Sequence, residues 1–309
     1  MRSMLFVPGD SEKKFAKAIL CGADALILDL EDSIAVSAKE KARQTVRAAI
    51  EEARAAKPRP VIYVRVNALD SGLIEGDLDV AVPAQPDGIM LPKSRGGLDI
   101  MHLSTKLAVR EAENDLPDGA IAIIPIATES AAALFNMGSY AGASRRLAGL
   151  TWGAEDLSAD IGASSRRLAD GSYTDPYRLA RSLALFAATA AEVSPIDTVF
   201  TNFRDKAGFL AECQAGQRDG FTGKLAIHPD QVATINEAFT PSAESITRAR
   251  AIVDAFAANP DAGVLGISGE MIDRPHVKRA ERLLATAKAA GLGSLQPGRT
   301  MVKPSVPTA

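Results

Sequence analysis

Charged side chains gather just beyond short apolar runs in this chain, where a strand would end and a loop begin. The run at 25–30 (ALILDL) carries Asp29 and leads into Glu31 and Asp32; Arg65 lies in VIYVRV, two residues before Asn67; Lys93 closes GIMLP. Thr128 and Glu129 follow AIAIIPI, Trp152, Glu155 and Asp156 follow the next run, and His228 follows the last. Glu129 and Asp156 would come from consecutive loops. Two carboxylates that leave positions open for water and ligand suit Mg²⁺ or Mn²⁺, hard cations that prefer oxygen. The competing reading is a helix-capping or surface role, since acids favour helix starts. Arg65 shares a strand face with Val61 and Tyr63 and must be paired, by a structural carboxylate or by the carboxylate of a substrate. Asp29, Glu31 and Asp32 cannot all be close, ionised and unpaired, so Lys93 is a candidate counter-ion, for a metal-water site or for a structural ion-pair network.

Other residues read as structure. His102, His228 and His276 never approach metal-ligand spacing, and a lone His at a strand-to-helix turn is more often a packing residue. Trp152 is the sole Trp and fits a core or pocket wall. No GxxxxGK[ST], GxGxxG between strand and helix, or GxSxG occurs, which argues against ATP, nicotinamide and α/β-hydrolase chemistry.

The elements that must position these residues repeat a strand–turn–helix rhythm. Strands are expected at 3–7, 25–30, 61–66, 88–92, 120–126, 147–152, 196–200 and 224–227. Helices are expected at 11–20, from a Ser37–Glu40 capping box to about 56, at 97–114, 130–137, from an Asp175 cap with Pro176 next, at 204–218, from Pro229, from Thr240 to about 258, and at 276–290. Near-continuous apolar runs suit strands buried on both faces of a parallel sheet. Eight such units in about 240 residues predict an α/β fold, a (β/α)8 TIM barrel, with a doubly wound sheet as runner-up. The barrel would span 1–240, a C-terminal helical extension 241–292, and a loose Gly- and Pro-containing tail 293–309.

The 309 residues carry 35 Lys plus Arg against 38 Asp plus Glu, so the formal charge is −3, without the basic excess of a nucleic-acid binder. No apolar stretch is long enough to span a membrane and the start lacks a signal-peptide pattern. Two distant cysteines exclude a disulfide framework or a CxxC site, and a cytoplasmic location is expected.

An ordered set of short motifs adds a family reading. Arg2–Gly9 (RSMLFVPG), Leu28–Ser33 (LDLEDS), Val64–Asn67 (VRVN), Leu91–Lys93 (LPK), Thr128–Ser130 (TES), Gly153–Leu157 (GAEDL), Lys224–Pro229 (KLAIHP) and Met271–Pro275 (MIDRP) occur in turn. In them the chain resembles the citrate lyase β-subunit-like CoA-ester lyases of the HpcH/HpaI aldolase superfamily, which include malyl-CoA and citramalyl-CoA lyases. The resemblance implies the barrel with its extension, and Mg²⁺ held by Glu129 and Asp156. It implies that Arg65 grips the carboxylate of a 2-oxo acid, with Glu129 also touching substrate. Glu31, Asp32 and Lys93 would support the site.

Asp273, which by spacing alone reads as the N-cap of the last helix, would on this resemblance be the proton-transfer residue placed by a neighbouring subunit of a homotrimer. CoA would enter as part of the substrate, its phosphates near Lys13 and Lys14, which otherwise read as exposed helix lysines. Ser130 stands where a Thr is common, and Trp152 with the segment after it matches a subgroup of stand-alone proteins. The expected reaction is reversible cleavage of a 3-hydroxyacyl-CoA into acetyl-CoA and a 2-oxo acid. Its rivals are a malyl-CoA thioesterase, an aldolase independent of CoA, and a citrate lyase subunit acting with an acyl carrier protein.

Overall fold

The structure is a computed structural model that describes residues 1–55, 59–267 and 269–292. The expected tail at 293–309 lies outside the described residues. Eight parallel strands form the centre: β1 Ser3–Pro8, β2 Ala25–Asp29, β3 Val61–Arg65, β4 Gly88–Leu91, β5 Ala122–Pro125, β6 Gly149–Thr151, β7 Ser194–Asp197 and β8 Gly223–Ala226. They run in the order β5-β4-β3-β2-β1-β8-β7-β6. Between β5 and β6 the ring is drawn together by main-chain hydrogen bonds, Ile123 N–H to Arg146 C=O at 2.8 Å and Ala127 N–H to Thr151 C=O at 2.9 Å. The result is a nearly closed TIM-type barrel, as the sequence rhythm predicts.

Helices α1 Glu12–Ala18, α2 Lys39–Ala55, α3 Ile74–Ala84, α4 Gly97–Glu113, α5 Ala131–Leu134, α6 Glu155–Asp160, α7 Asp175–Ala190, α8 Lys206–Asp219 and α9 Asp230–Ala238 lie between and after the strands. Alternate strand residues feed two cores. Leu5, Leu26, Leu28, Ile62, Val64 and Ile89 pack outward against helices. Met4, Ile27, Tyr63, Met90, Ile124, Ile196 and Leu225 fill the interior. Gly88 makes room there, since a Cβ would stand 2.1 Å from a ring carbon of Tyr63. At the C-terminal rim this inward column continues into charged residues, which is how the barrel brings them together.

Several local readings change. The helix expected from a Ser37 capping box starts at Lys39, because 36–38 wind into a 3₁₀ turn. The cap of α7 is Thr174, and Asp175 is its first residue. Helix α3 was unexpected because Gly76 and Pro83 break its pattern. Gly76 is needed there: a Cβ would meet the Arg43 guanidinium at 2.8 Å, as that group reaches the fully buried Asp77 at 2.9 Å.

A second compact unit starts at Thr240. It contains α10 Ala243–Ala258, an antiparallel pair β9 Val264–Ile267 and β10 Glu270–Asp273, and α11 Arg274–Ala289. Its own core is Ala249, Ile252, Phe256, Ile272 and Ala280. The hairpin interrupts what the sequence pattern presented as purely helical. Among the described residues no helix is long and apolar enough to cross a membrane.

Candidate active site

Strand register builds the site's centre. Asp29 and Arg65 end β2 and β3 as direct partners, so both side chains point into the barrel mouth. Arg65 Nε and Nη2 donate to Asp29 Oδ1 and Oδ2, each at 2.7 Å, and Nη1 stands 2.9 Å from Glu31 Oε2. Phe6 of β1 lies beneath the guanidinium, 4.9 Å from its carbon. Burial alone would raise the Asp29 carboxyl, but Arg65 outweighs it and holds the group below the ordinary carboxylate range. Of the two sequence readings for Arg65, a structural carboxylate partner is therefore present.

The loop after β2 is tied down by its own groups. Asp29 accepts from the main-chain N–H of Glu31 at 2.9 Å and of Ser33 at 3.3 Å. The buried Lys39 ammonium donates to the carbonyls of Leu30 and Glu31 at 2.8 and 3.0 Å. Asn67 is locked by Asp77, which accepts from its main-chain and side-chain N–H groups at 2.7 Å each. Lys39 and Asp77 were not singled out in the sequence, where a helix Lys and a helix Asp carry no signal of burial.

Lys93 links the acids. Its φ of 53° is left-handed, unusual for a residue with a Cβ. That turn aims its main-chain N–H at Glu129 Oε2. Its ammonium lies 2.5 Å from Glu31, 3.4 Å from Asp32 and 3.8 Å from Asp156. Burial lowers the Lys93 pKa less than Glu31 and its fellow acids raise it, so the ammonium stays charged.

Glu129 lies far from the ordinary carboxylate range. It is buried in the loop after β5, and its Cγ packs so close to Gly153 that a Cβ there would approach to 2.8 Å. Burial, joined by the charges of Asp156 and Glu31, pushes its carboxyl up to about 8, against the Lys93 N–H and Arg65. Burial also raises Glu31, opposed by Arg65 and Lys93. Asp156 sits in the first turn of α6, a third exposed. Among the described residues no three His, Cys, Asp or Glu side chains form a ready metal cage.

The remaining candidates lie elsewhere. Trp152 is fully buried and its indole N–H donates to Asp197 at 2.7 Å, a core role. His228 stacks on Phe203 with ring centres 4.7 Å apart, and Lys13 and Lys14 are exposed on α1. Asp273 belongs to the second unit, where it caps α11 and meets the His276 ring.

A parallel barrel with an arginine and a knot of carboxylates at the C-terminal mouth is the architecture of a TIM-barrel enzyme. The HpcH/HpaI aldolase/citrate lyase family model matches residues 2–229, and the chain belongs to that family of enzymes. It is 34% identical to citrate lyase subunit beta of Leuconostoc mesenteroides subsp. cremoris, over 93% of each chain. It is 32% identical to the mitochondrial citramalyl-CoA lyase of Rattus norvegicus, covering 93% of this chain and 86% of the relative. It is 34% identical to the (3S)-malyl-CoA thioesterase of Cereibacter sphaeroides, covering 93% and 95%. Among solved structures, CitE from Mycobacterium tuberculosis in complex with magnesium, acetoacetate and coenzyme A superposes with a TM-score of 0.73 at 31% identity, covering 93% of this chain and 98% of that one.

Proposed function

We propose that this chain is a Mg²⁺-dependent carbon–carbon lyase. It reversibly cleaves a 3-hydroxyacyl-CoA carrying a carboxylate on the hydroxyl-bearing carbon, such as malyl-CoA or citramalyl-CoA, into acetyl-CoA and a 2-oxo acid. The observation that carries the reading is the buried Glu129 carboxyl at the barrel mouth, beside Asp156 and opposite Arg65. The complex of CitE with magnesium, acetoacetate and coenzyme A supports it.

Glu129 and Asp156 would hold the cation. The donor set fits: both offer hard oxygen, and burial, joined by the charges of Asp156 and Glu31, raises the Glu129 carboxyl to about 8, so a cation there would relieve it. Bound there, Mg²⁺ supplies Lewis-acid polarisation of the 2-oxo acid's carbonyl. Arg65 has five N–H donors, of which Asp29 takes two and Glu31 one. One N–H remains on each terminal nitrogen, enough to receive the 2-oxo acid carboxylate from a guanidinium already fixed in place. Glu31, Asp32 and Lys93 keep the rim ordered.

In the condensation direction Asp273 takes a proton from the methyl carbon of acetyl-CoA, and the resulting enolate attacks the carbonyl carbon of the 2-oxo acid. In cleavage the substrate hydroxyl gives its proton to solvent water as the carbon–carbon bond breaks and the 2-oxo carbonyl forms, while protonated Asp273 gives its proton to the enolate carbon and regains one from solvent. On this reading Asp273 serves the barrel of a neighbouring copy in a homo-oligomer, a trimer, in the cytoplasm. The barrel would span 1–240 and the extension 241–292.

Calorimetric titration of pyruvate, glyoxylate and oxaloacetate, each with and without Mg²⁺, tests the reading. Metal-dependent binding of one acid, lost in Arg65→Ala, is expected; no binding of any acid in the presence of Mg²⁺ refutes it. The similarity to a malyl-CoA thioesterase keeps a second reading in view, and product analysis separates them. A lyase releases a 2-oxo acid from malyl-CoA, whereas a thioesterase releases free malate. Turnover only on an acyl-carrier-bound thioester would instead mark a citrate lyase subunit.

A further inference from the structure

The acid that the proposed reaction needs for proton transfer is not alone in its unit. Asp273 ends β10 and caps α11, and one ring nitrogen of His276, Nδ1, faces it twice. Nδ1 lies 3.3 Å from the Asp273 main-chain nitrogen and in closer contact with Asp273 Oδ1. One nitrogen cannot accept a proton from the first and donate one to the second. A hydrogen bond to a carboxylate is shorter and about twice as strong as one between neutral groups, so the contact with Oδ1 prevails. Nδ1 then carries a hydrogen, which in a neutral ring is the tautomer that an unconstrained histidine populates less.

Neighbouring charges are engaged elsewhere. Arg274 donates to the Pro260 carbonyl and lies over the Phe256 ring, and Arg248 pairs with Glu270. The His276 main-chain N–H also faces the Asp273 carboxylate. Both side chains remain about a third exposed, so the pair is open to a ligand.

We propose that His276 is the positioning residue for Asp273: its Nδ1–H fixes Oδ1, and the proton exchanged with substrate enters and leaves at Oδ2. The inference rests on the reading of Asp273 as the proton-transfer residue. No atom is gained or lost by His276 itself, which keeps its Nδ1 proton throughout.

The test uses the full chain loaded with Mg²⁺. Nitrogen-15 NMR of histidine-labelled protein, with the His276 signals assigned by their loss in His276→Gln, should show a hydrogen on Nδ1. His276→Leu should lower kcat about tenfold while leaving the KM for the 2-oxo acid unchanged. His276→Gln, whose amide can still donate to Oδ1 and still cap the helix, should recover most of that loss. An Nε2–H tautomer overturns the proposal, and so does an unchanged kcat in His276→Leu. Asp273→Asn separates the two ideas: if it turns over normally, the reading of Asp273 itself fails; if it is inactive while His276→Leu is not, only the role of His276 fails.

Discussion

Removing Arg65 should reveal how much of the site is held by its pairing. Arg65→Met leaves Asp29, 2% exposed, with its bidentate partner gone, and takes one of two cations from Glu31, 4% exposed. Breaking a buried pair by deleting one partner costs about 3–5 kcal/mol. In a unit of this size each kcal/mol shifts Tm by about 2–4 °C, so a fall of roughly 6–20 °C is expected by scanning calorimetry at pH 7.5. Asp29→Asn in the same background should return at least half of it, because the stranded charge is then absent. The pH dependence has a definite sign. In the native protein Asp29 titrates below its ordinary value, so its stabilisation is complete above about pH 4 and is lost as pH falls through the depressed pKa. In the variant, burial, the largest influence on Asp29, is opposed by the Glu31 and Ser33 N–H groups and no longer by Arg65, so the ionised form is penalised at neutral pH and relieved on protonation. The gap between native and variant proteins should therefore narrow as pH falls from 7 toward 4. A Tm within 2 °C of the native protein, or a gap that widens toward acid, would refute the pairing argument.

Three further outcomes follow from the geometry. With Glu129 at about 8 in the metal-free protein, Mg²⁺ binding at pH 7 should release close to one proton, and about half as much at pH 8; calorimetry in buffers of different ionisation enthalpy reads this number, and zero release at pH 7 would contradict it. Gly153→Ala should weaken Mg²⁺ binding about tenfold with Tm nearly unchanged, since its Cβ would stand 2.8 Å from Glu129 Cγ and displace the carboxylate; unaltered affinity by titration would show that Glu129 is not a metal ligand. Asp273→Asn should bind 2-oxo acid normally in calorimetry and lose turnover by at least a hundredfold, within the range set by proton-transfer groups; full activity would remove Asp273 from the chemistry.

The barrel was legible because parallel strands buried on both faces must be continuous apolar runs, and eight of these stand out in the chain. The rim was legible in residue type but only partly in role. Asp29 and Arg65 each close a strand on its inward face, and register then makes them partners; knowing the strand ends but not the register left Arg65 open between a structural acid and a ligand. The left-handed turn at Lys93 was invisible, because nothing about a lysine announces a positive φ. Helix α3 was hidden by Gly76, a breaker whose missing side chain is what lets Arg43 reach Asp77. The weight placed on Asp273 came from motif resemblance alone, since capping a helix accounts for its position without further function.

The charge balance at the mouth explains why these residues belong together. Among the described residues, Asp29, Glu31, Asp32, Glu129 and Asp156 gather around Arg65 and Lys93, so these five anions against these two cations leave −3 if all are ionised. Core packing does not require such an excess, and a low-dielectric rim makes it costly. One relief is protonation: burial, with the charges of Asp156 and Glu31, raises the Glu129 carboxyl to about 8. A divalent cation would relieve it more completely, taking the place of that proton and lowering the excess by two. Arg65 would then meet an incoming carboxylate without adding to an already overloaded cluster. On this reading the cation must precede an anionic substrate: it takes the rim from −3 to −1, so that a monocarboxylate then brings it to −2 rather than −4.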